Sequence, residues 1–275
     1  MQNPPAPRKG IALFKWIRLV FTAGIEIVFS YFAWMLRYSA HPEKYPLEER
    51  YAKVHGLALS LSKKLRMNLD ENFSSSVASL RRSTLIVSNH LSIMDIVALL
   101  ALSQRPISFI GKKEVERTPF VGRCVKAIGG FFLDREDPKQ AVRLFMRIGK
   151  AMKQSPTLVV VYPEGTRLKD PFQEVGEFHA GTFKLLEWGD ADLLPLSCFG
   201  TFRPLSKSEH ERSFPVEIKA LPLKRKEEFD GMSTVEIASF ARKEIASQVE
   251  EFKRYDIAYY EQKKNRVKAG KWWRK

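Results

Sequence analysis

Short apolar runs alternate with helix-length segments over most of the chain from residue 83 onward. Six runs are rich in β-branched and aromatic residues and are bounded by turn-forming residues, which predicts strands at 84–88, 107–110, 130–134, 157–162, 193–199 and 214–221. Five intervening segments have apolar residues every three to four positions, which predicts helices at 92–103, 113–127, 138–153, 178–188 and 233–254. This alternation predicts an α/β layered domain with a central mixed, largely parallel sheet flanked by helices.

A more apolar helix is predicted near the N-terminus. Between Ile11 and Tyr38 apolar side chains cover most of the helix circumference. The polar stripe that remains is narrow and consists of Lys15, Arg18, Thr22, Glu26, Ser30 and Arg37. A helix of this kind is buried in protein or in lipid, and Trp16 and Trp34 suit the interfacial depth of a bilayer. We expect an amphipathic membrane-binding segment, with packing on a soluble core and a true membrane span as alternatives.

The rest of the N-terminal region contains a second predicted amphipathic helix. It covers residues 47–69 and follows the proline-containing stretch HPEKYP, which ends the first helix. The serine-rich stretch DENFSSSVAS comes next and predicts a loop or hairpin. The chain thus divides into N-terminal membrane-binding helices over 1–70, an α/β domain over 71–230, and a C-terminal helix with a basic tail over 231–275.

The chain is strongly basic, with a formal net charge of +15. Such a charge favours an anionic partner, which includes nucleic acid, an anionic membrane surface and a phosphorylated substrate. The last 23 residues contain nine Lys or Arg and two Asp or Glu. Together with Trp272 and Trp273, they suit either a solvated helical tail or an anionic bilayer surface. No RNA-binding or helix-turn-helix signature accompanies the charge, so a nucleic-acid-binding protein is the weaker alternative.

Cysteine and histidine spacing does not indicate a metal site. Cys124 and Cys198 lack CxxC spacing, and the five histidines are scattered along the chain. We therefore expect neither a metal nor another cofactor. Few cysteines without a disulfide pattern also fit a reducing compartment that faces the cytosol.

A histidine and an aspartate follow the first predicted strand in the stretch SNHLSIMD. A neutral imidazole accepts a proton from a hydroxyl near neutral pH, and a carboxylate on its other nitrogen fixes the tautomer. On a regular helix, His90 and Asp95 would point about 140° apart. They meet only if the strand turns into the helix between them, which Ser92 permits as an N-cap. Alternatively, Asp95 merely caps the helix and His90 packs near the turn.

Two further motifs stand at strand ends. VYPEGTR follows the strand predicted at 157–162 and places Glu164 and Arg167 where an anionic group can bind, since arginine offers phosphate a bidentate fork. IGGFFLDR contains a glycine pair, an apolar strand and then Asp134 and Arg135, and Arg135 is a second candidate for phosphate. Taken singly, each motif also fits a turn with a surface ion pair.

The three motifs together resemble the glycerolipid acyltransferase family, most closely its bacterial 1-acyl-sn-glycerol-3-phosphate acyltransferases. The resemblance covers about residues 83–222. The family block NHxSxxD matches Asn89 to Asp95, and a lysine-bearing block resembles GKKEVERTPFVG, with Lys112 as the best-matching lysine. The later blocks G-x-x-F-[IL]-D-R and PEGTR match residues 129–135 and 163–167.

This resemblance implies an enzyme that transfers a fatty acyl group to the 2-hydroxyl of 1-acyl-sn-glycerol-3-phosphate and forms phosphatidic acid. It implies His90 as the general base and Asp95 as its orienting acid. The implied substrate-binding set is Lys112, Arg135, Glu164, Gly165, Thr166 and Arg167. Acyl-CoA or acyl carrier protein is implied as the donor, and membrane lipids as partners at the cytoplasmic face of the cell membrane. An acyltransferase for another lysophospholipid or for glycerol-3-phosphate is the alternative within the family.

A hydrolase of acyl esters or thioesters shares part of this chemistry. The sequence contains no GxSxG nucleophile elbow and offers no reactive cysteine in a suitable setting. A thioesterase or lipase is therefore disfavoured.

Overall fold

The computed structural model describes residues 17, 20–69, 72–206 and 213–271, with side chains up to residue 263. We number eight helices: α1 Val20–Ala40, α2 Leu47–Lys64, α3 Asn72–Ser79, α4 Ile93–Leu102, α5 Val121–Ala127, α6 Pro138–Gln154, α7 Lys184–Gly189 and α8 Thr234–Lys271. The strands are β1 Met67–Leu69, β2 Thr84–Ser88, β3 Ile107–Lys112, β4 Phe131–Leu133, β5 Leu158–Val161, β6 Asp192–Phe199 and β7 Phe214–Ala220. Short 3₁₀ helices occupy Pro42–Lys44, Lys113–Arg117, Ala180–Phe183 and Lys226–Phe229.

The described strands form one seven-stranded sheet in the order β1-β7-β6-β2-β5-β3-β4. Neighbouring strands are parallel except for β6 and β7, which are antiparallel. The prediction of a mixed, largely parallel sheet is therefore confirmed, and all six predicted strands are present. Since the carboxyl ends of parallel strands share one edge, the segments after β2, β3, β4 and β5 meet there.

Helices cover both faces of the sheet. Side chains of β2 alternate, because Ile86 packs into a core with α1, α2 and α4, while Leu85 and Val87 pack into a second core with α6, α7 and α8. β2, β5 and β6 are buried throughout, as expected for central strands with helices on both sides. The result is a three-layer α/β/α arrangement.

Helix α1 directs part of its polar stripe toward the protein and several apolar side chains outward, which the sequence pattern did not predict. Two of its turns, Val20–Gly24 and Tyr31–Met35, are π-helical. Ser30 is buried, and the Glu26 carboxylate accepts hydrogen bonds from Ser60 and Lys64 of α2, so part of the polar stripe faces protein. Three phenylalanines face outward instead, with exposed fractions of 65% for Phe21, 71% for Phe29 and 71% for Phe32.

The C-terminal part of α1 belongs to the protein core. Met35 and Tyr38 are fully buried, and Trp34 packs beside Tyr38 with ring centroids 6.1 Å apart. The expectation that Trp34 lies at a bilayer interface is therefore wrong. Trp16, the other tryptophan of that expectation, lies outside the described residues.

The loop or hairpin predicted for residues 70–79 is wrong, since residues 72–79 form helix α3. Phe73 and Val77 lie one turn apart and are both buried, which anchors one face of the helix. The hydroxyl groups of Ser75 and Ser76 both donate to the Asn72 carbonyl. Serine-rich sequence therefore forms a helix here, because its hydroxyls bond to the preceding turn while the apolar face is buried.

Three predicted helices have different bounds. The helix predicted at 47–69 ends at Lys64, and Met67–Leu69 instead pairs with β7 at the sheet edge. The helix predicted at 113–127 is interrupted at Pro119, which holds Thr118 in an extended conformation and separates Lys113–Arg117 from α5. The helix predicted at 178–188 begins with the 3₁₀ turn Ala180–Phe183.

Helix α8 extends well beyond the predicted residue 254, to Lys271. The paired tryptophans of the basic tail lie outside the described residues. The helices and the strand within the first 70 residues share a core with the sheet. The functional division at residues 70 and 230 stays a prediction.

Candidate active site

The site lies where four neighbouring parallel strands end. Asn89 and His90 follow β2, Tyr162 and Glu164 follow β5, and Arg135 comes two residues after β4. Lys112 is the last residue of β3. Strand order places β2 beside β5, β5 beside β3, and β3 beside β4, so these side chains converge at one edge of the sheet.

His90 and Asp95 are in direct contact. Nδ1 of His90 lies 2.7 Å from Oδ2 of Asp95, with 16% of the His90 side chain and 1% of the Asp95 side chain exposed. The contact forms because the chain leaves β2 at Ser88 and enters α4 at Ile93. An ionised carboxylate only accepts hydrogen bonds, so Nδ1 carries the proton and Nε2 presents its lone pair. Nε2 has no hydrogen-bond partner within the described part of the chain.

Asp95 also caps helix α4. The Ser92 hydroxyl accepts from the Met94 amide at 3.2 Å, and Oδ2 of Asp95 accepts from the amides of Leu91 and Ser92 at 2.8 and 3.0 Å. Ser92 and Asp95 thus form a capping box, as the N-cap prediction for Ser92 anticipated. The Asp95 carboxylate therefore caps α4 and also pairs with His90, so both interpretations of Asp95 are correct.

Asn89 fixes the end of β2 to β6. Its amide nitrogen donates to the Cys198 carbonyl at 2.9 Å, and its amide oxygen accepts from the Cys198 N–H at 2.9 Å. Both residues are buried. This reciprocal pair sets the position from which the chain turns toward His90.

Glu164 joins the loop after β5 to the loop after β2. Its carboxylate accepts from the His90 amide at 2.7 Å and from the Gly176 amide at 3.0 Å. The Leu168 amide donates to the His90 carbonyl at 3.1 Å, which adds a second link between the loops. Burial raises the pKa of the Glu164 carboxyl. The side chain faces these amides and lies behind the wall of the site.

Tyr162 forms a flat support for the imidazole. Its ring stacks on His90 with centroids 4.1 Å apart and planes inclined by 19°. The Tyr162 hydroxyl is buried and has no hydrogen-bond partner within residues 20–69, 72–206 and 213–263. Burial raises its pKa well above the usual value, so the phenol is neutral.

Three cationic side chains surround the same space. Arg135 donates from Nη1 to the Gly165 carbonyl, and partial burial lowers the pKa of its guanidinium. Lys112 lies 3.0 Å from the Glu114 carboxylate, and Arg167 has no ion pair in the described ranges. All three are exposed. Gly165 supports this arrangement with a φ of +72°, which favours glycine, and a Cβ there would lie 3.0 Å from Nε2 of His179.

A cavity of about 490 Å³ connects the imidazole with these cations. Six of the eight predicted site residues line it: His90, Lys112, Arg135, Gly165, Thr166 and Arg167. The other two, Asp95 and Glu164, stand behind the wall and hold His90 in place. The remaining lining is largely apolar and includes Ile93, Ile96, Phe109, Val115, Val121 and Val125. Within the described residues, no three His, Cys, Asp or Glu side chains lie close enough to hold a metal ion.

The acyltransferase family profile matches residues 64–198, the stretch that contains every one of these lining residues. Just under half of the chain therefore resembles the acyltransferase family. A 1-acyl-sn-glycerol-3-phosphate acyltransferase of Helicobacter pylori is 38% identical over 106 residues, which cover 37% of this chain and 44% of that protein. A Mycoplasma pneumoniae protein described as a probable 1-acyl-sn-glycerol-3-phosphate acyltransferase is 28% identical over 199 residues, with 67% of this chain and 71% of that protein covered.

A solved structure shares the acyltransferase fold over nearly the whole chain. The crystal structure of the 1-acyl-sn-glycerophosphate (LPA) acyltransferase of Thermotoga maritima superposes with a TM-score of 0.68 at 25% identity. The match covers 90% of this chain and 98% of that protein. By contrast, the sequence match spans less than half of the Helicobacter relative.

Sequence reasoning missed three supports of this site. Asn89 was part of a matched block, but its pairing with Cys198 depends on β6 lying beside β2. Tyr162 directly precedes the PEGTR block. An aromatic residue directly after a buried strand is a signal that could have identified it as part of the site. The Thr201 hydroxyl donates a hydrogen bond to the Asp95 carboxylate, and no sequence pattern connects these two residues, which lie 106 positions apart.

Replacing Tyr162 by phenylalanine is expected to leave acyl transfer intact and to keep or raise the free energy of unfolding. The substitution keeps the stacked ring and removes a buried hydroxyl that has no partner within the described residues, which relieves a desolvation cost of about 1–3 kcal/mol. Thermal denaturation and an acyl-transfer assay on the purified protein measure both quantities.

Tyr51→Phe is the matched control, because the Tyr51 hydroxyl is also buried but donates to the Ser103 carbonyl at 3.1 Å. That variant should lose stability, since it leaves an acceptor unpaired. Loss of activity in Tyr162→Phe would show that the hydroxyl itself takes part in the reaction.

Proposed function

We propose that the protein transfers a fatty acyl group from a thioester donor to the 2-hydroxyl of 1-acyl-sn-glycerol-3-phosphate and forms phosphatidic acid. One observation carries the proposal: His90, held by Asp95, faces a cavity whose wall also contains Lys112, Arg135 and Arg167. A general base and a group of cations in one cavity suit an alcohol that carries a phosphate. The names of the related proteins from Helicobacter and Thermotoga support the same acceptor.

The chemistry follows from the free lone pair on Nε2 of His90. Nε2 takes the proton of the 2-hydroxyl as the oxygen forms a bond to the thioester carbonyl carbon. The tetrahedral intermediate then collapses, the carbon–sulfur bond breaks, and the imidazolium gives its proton to the leaving thiolate. Asp95 stabilises the imidazolium between these steps through the bond to Nδ1. The products are phosphatidic acid and the free thiol of the donor, with no acyl-enzyme.

The phosphate of the acceptor binds at the cationic side of the cavity. Arg135 and Arg167 supply guanidinium groups, whose planar forks match phosphate oxygens, and Lys112 adds a third positive charge. Gly165 and Thr166 line the same wall, and Glu164 keeps the loop that carries Thr166 and Arg167 beside His90. The phosphate thus fixes the acceptor with its hydroxyl near the base.

The apolar side of the cavity suits an acyl chain. Its walls come from α4, β3 and α5 and carry Ile93, Ile96, Phe109 and Val125. The thioester of acyl-CoA or of acyl carrier protein serves as the donor, and neither requires a metal or a bound cofactor.

The exposed face of α1 supports a location of this chemistry at a membrane. α1 is the one helix, among the described residues, that is long and apolar enough to cross a membrane by length and composition. One side of it packs on the core while Phe21, Phe29 and Phe32 face outward, an arrangement that suits a helix lying on a bilayer. Phe120 contacts Tyr31 of α1 and precedes Val121, which lines the cavity. This arrangement supports the proposal that the protein binds the cytoplasmic face of the cell membrane with its cavity near the lipids.

Arg135→Ala is expected to lower kcat/KM for 1-acyl-sn-glycerol-3-phosphate by about ten- to a hundredfold, because one charge-assisted contact to phosphate is lost. A lipid alcohol without phosphate, such as monoacylglycerol, should lose far less. Arg81→Ala is the control, since Arg81 is exposed just before β2, at the opposite edge of the sheet. An equal loss on both alcohols would contradict phosphate binding by Arg135.

The deciding experiment is a transfer assay that crosses two donors, acyl-CoA and acyl carrier protein, with three acceptors. The acceptors are lysophosphatidic acid, glycerol-3-phosphate and lysophosphatidylcholine, and the expected product is phosphatidic acid from the first. Preference for either of the others would reassign the acceptor within the family. Salt-sensitive retention on DNA without any lipid transfer would favour the nucleic-acid alternative.

A further inference from the structure

We propose that Thr201 is a positioning residue for the His90–Asp95 pair, an inference that rests on the proposed function. The Thr201 hydroxyl donates a hydrogen bond to Oδ1 of Asp95. Thr201 is fully buried and lies in the turn that follows β6, beside the end of β2. It touches neither the cavity nor the reacting atoms, so its effect passes through Asp95.

The two oxygens of Asp95 have different partners. Oδ2 accepts from Nδ1 of His90 and from the amides of Leu91 and Ser92. Oδ1 faces the other way and lies 3.6 Å from Sγ of Cys198, with Thr201 as the stronger donor, because a thiol is a weak one. Thr201 therefore fixes the rotation of the carboxylate about its Cβ–Cγ bond. That rotation determines how squarely Oδ2 meets the imidazole.

The turn that carries Thr201 is itself rigidly held. Gly200 has a φ of +87°, and a Cβ there would lie 2.3 Å from the Pro215 carbonyl oxygen, so only glycine fits. Arg203 donates its backbone amide to the Gly200 carbonyl at 3.2 Å and its guanidinium to Asp256 of α8 at 2.6 Å. The reciprocal bonds between Asn89 and Cys198 fix the strand ends on either side. Thr201 thus belongs to a preorganised support.

The other groups beside the His90–Asp95 pair that can carry a negative charge are neutral or already hydrogen-bonded, so Thr201 is the contact to be varied. Burial raises the pKa of both the Cys198 thiol and the Tyr162 phenol, so both neighbours are neutral. Glu164 is the other acidic group nearby, and it is engaged by the amides of His90 and Gly176. Without the Thr201 hydroxyl, Oδ1 keeps only the weak thiol contact, so the carboxylate can rotate and Oδ2 meets the imidazole less squarely.

The test compares two pairs of variants that differ in the hydroxyl. In the first pair, Thr201→Val keeps the branched shape of the wild-type side chain and lacks the hydroxyl. If the valine variant fails to fold, Thr201→Ser and Thr201→Ala form the second pair, since serine has the hydroxyl and alanine lacks it. We expect loss of the hydroxyl to lower kcat about ten- to a hundredfold with little change in KM, since one hydrogen bond to a charged group is lost. The acidic limb of the kcat/KM profile should move to lower pH, because a less squarely oriented carboxylate stabilises the imidazolium less, and serine should restore most of the rate.

Thr84→Val is the matched control. Thr84 is also fully buried, but its hydroxyl bonds to the Arg82 carbonyl at the amino end of β2. Its variant is expected to lose stability to a similar extent while keeping kcat and the pH profile. Equal kinetic losses in Thr84→Val and Thr201→Val would assign the effect to stability and overturn the proposal.

A second readout does not depend on the substrate. ¹⁵N resonances of the histidine rings, with that of His90 assigned by its absence in His90→Ala, report which nitrogen carries the proton. We expect wild type and Thr201→Ser to hold the Nδ1–H tautomer and Thr201→Val to show a mixture. An unchanged His90 signal together with an unchanged kcat in Thr201→Val would overturn the role of Thr201. Absence of transfer in wild type with the expected tautomers would instead refute the proposed function and leave the positioning contact standing.

Discussion

His90→Ala is expected to reduce acyl transfer to 1-acyl-sn-glycerol-3-phosphate by about a hundred- to ten-thousandfold, the usual contribution of general base catalysis. The fold should survive, because Asp95 keeps the amides of Leu91 and Ser92 and the Thr201 hydroxyl as donors. The His90 ring also stands at the cavity wall, where its loss enlarges a solvent-connected space. Initial rates with purified protein, together with a thermal denaturation curve, measure both effects.

His41→Ala serves as the matched histidine control, since His41 is an exposed residue that lies near Glu43. It should retain full activity. Retained transfer in His90→Ala would remove His90 from the reaction and leave the cavity without a base among the residues that line it. A variant that is inactive because it has unfolded would be recognised by its lowered melting temperature.

The second large effect is expected at the membrane. Replacing Phe21, Phe29 and Phe32 together by serine should weaken binding to liposomes by more than about a hundredfold, because each phenylalanine moved into lipid contributes roughly 1.5–3 kcal/mol. All three are exposed on α1, so the substitutions leave the core intact. Liposome flotation or sedimentation with anionic vesicles measures the bound fraction.

The matched control for this triple variant replaces three exposed apolar residues elsewhere, namely Val142, Met146 and Val235, by serine. It should bind liposomes as wild type does. Point substitutions are a cleaner test than deletion of residues 1–40, since Met35 and Tyr38 are part of the core and their removal would unfold it. Unchanged flotation of the phenylalanine variant would show that α1 does not carry the membrane contact.

The convergence of the site could be predicted from the sequence because it depends on topology. Once β2 and β5 are recognised as central parallel strands, the residues after each must share one edge, which places His90 near Glu164 and Arg167. The contact between His90 and Asp95 was predictable for a local reason, since a strand followed by a helix brings the two side chains together. Strand patterns rich in β-branched residues made this inference secure.

Other features could not be predicted, because they depend on which distant segment packs against them. Glu26 of the polar stripe faces α2, since Lys64 and Ser60 pair with it, and no periodicity within α1 contains that information. Helix α3 forms in serine-rich sequence because the Phe73 side chain is buried in the core. Likewise, β1 is only three residues long and exists through its pairing with β7.

Asp95 has a structural role and a chemical role, and this affects how its tolerance to substitution is interpreted. Its single carboxylate caps the first turn of α4 and also holds the His90 imidazole. Asp95→Asn therefore disturbs folding and chemistry together. A saturation screen scored on product alone would rank position 95 as intolerant for two reasons that it cannot separate. Position 90, whose side chain caps no helix, is where such a screen would register chemistry by itself.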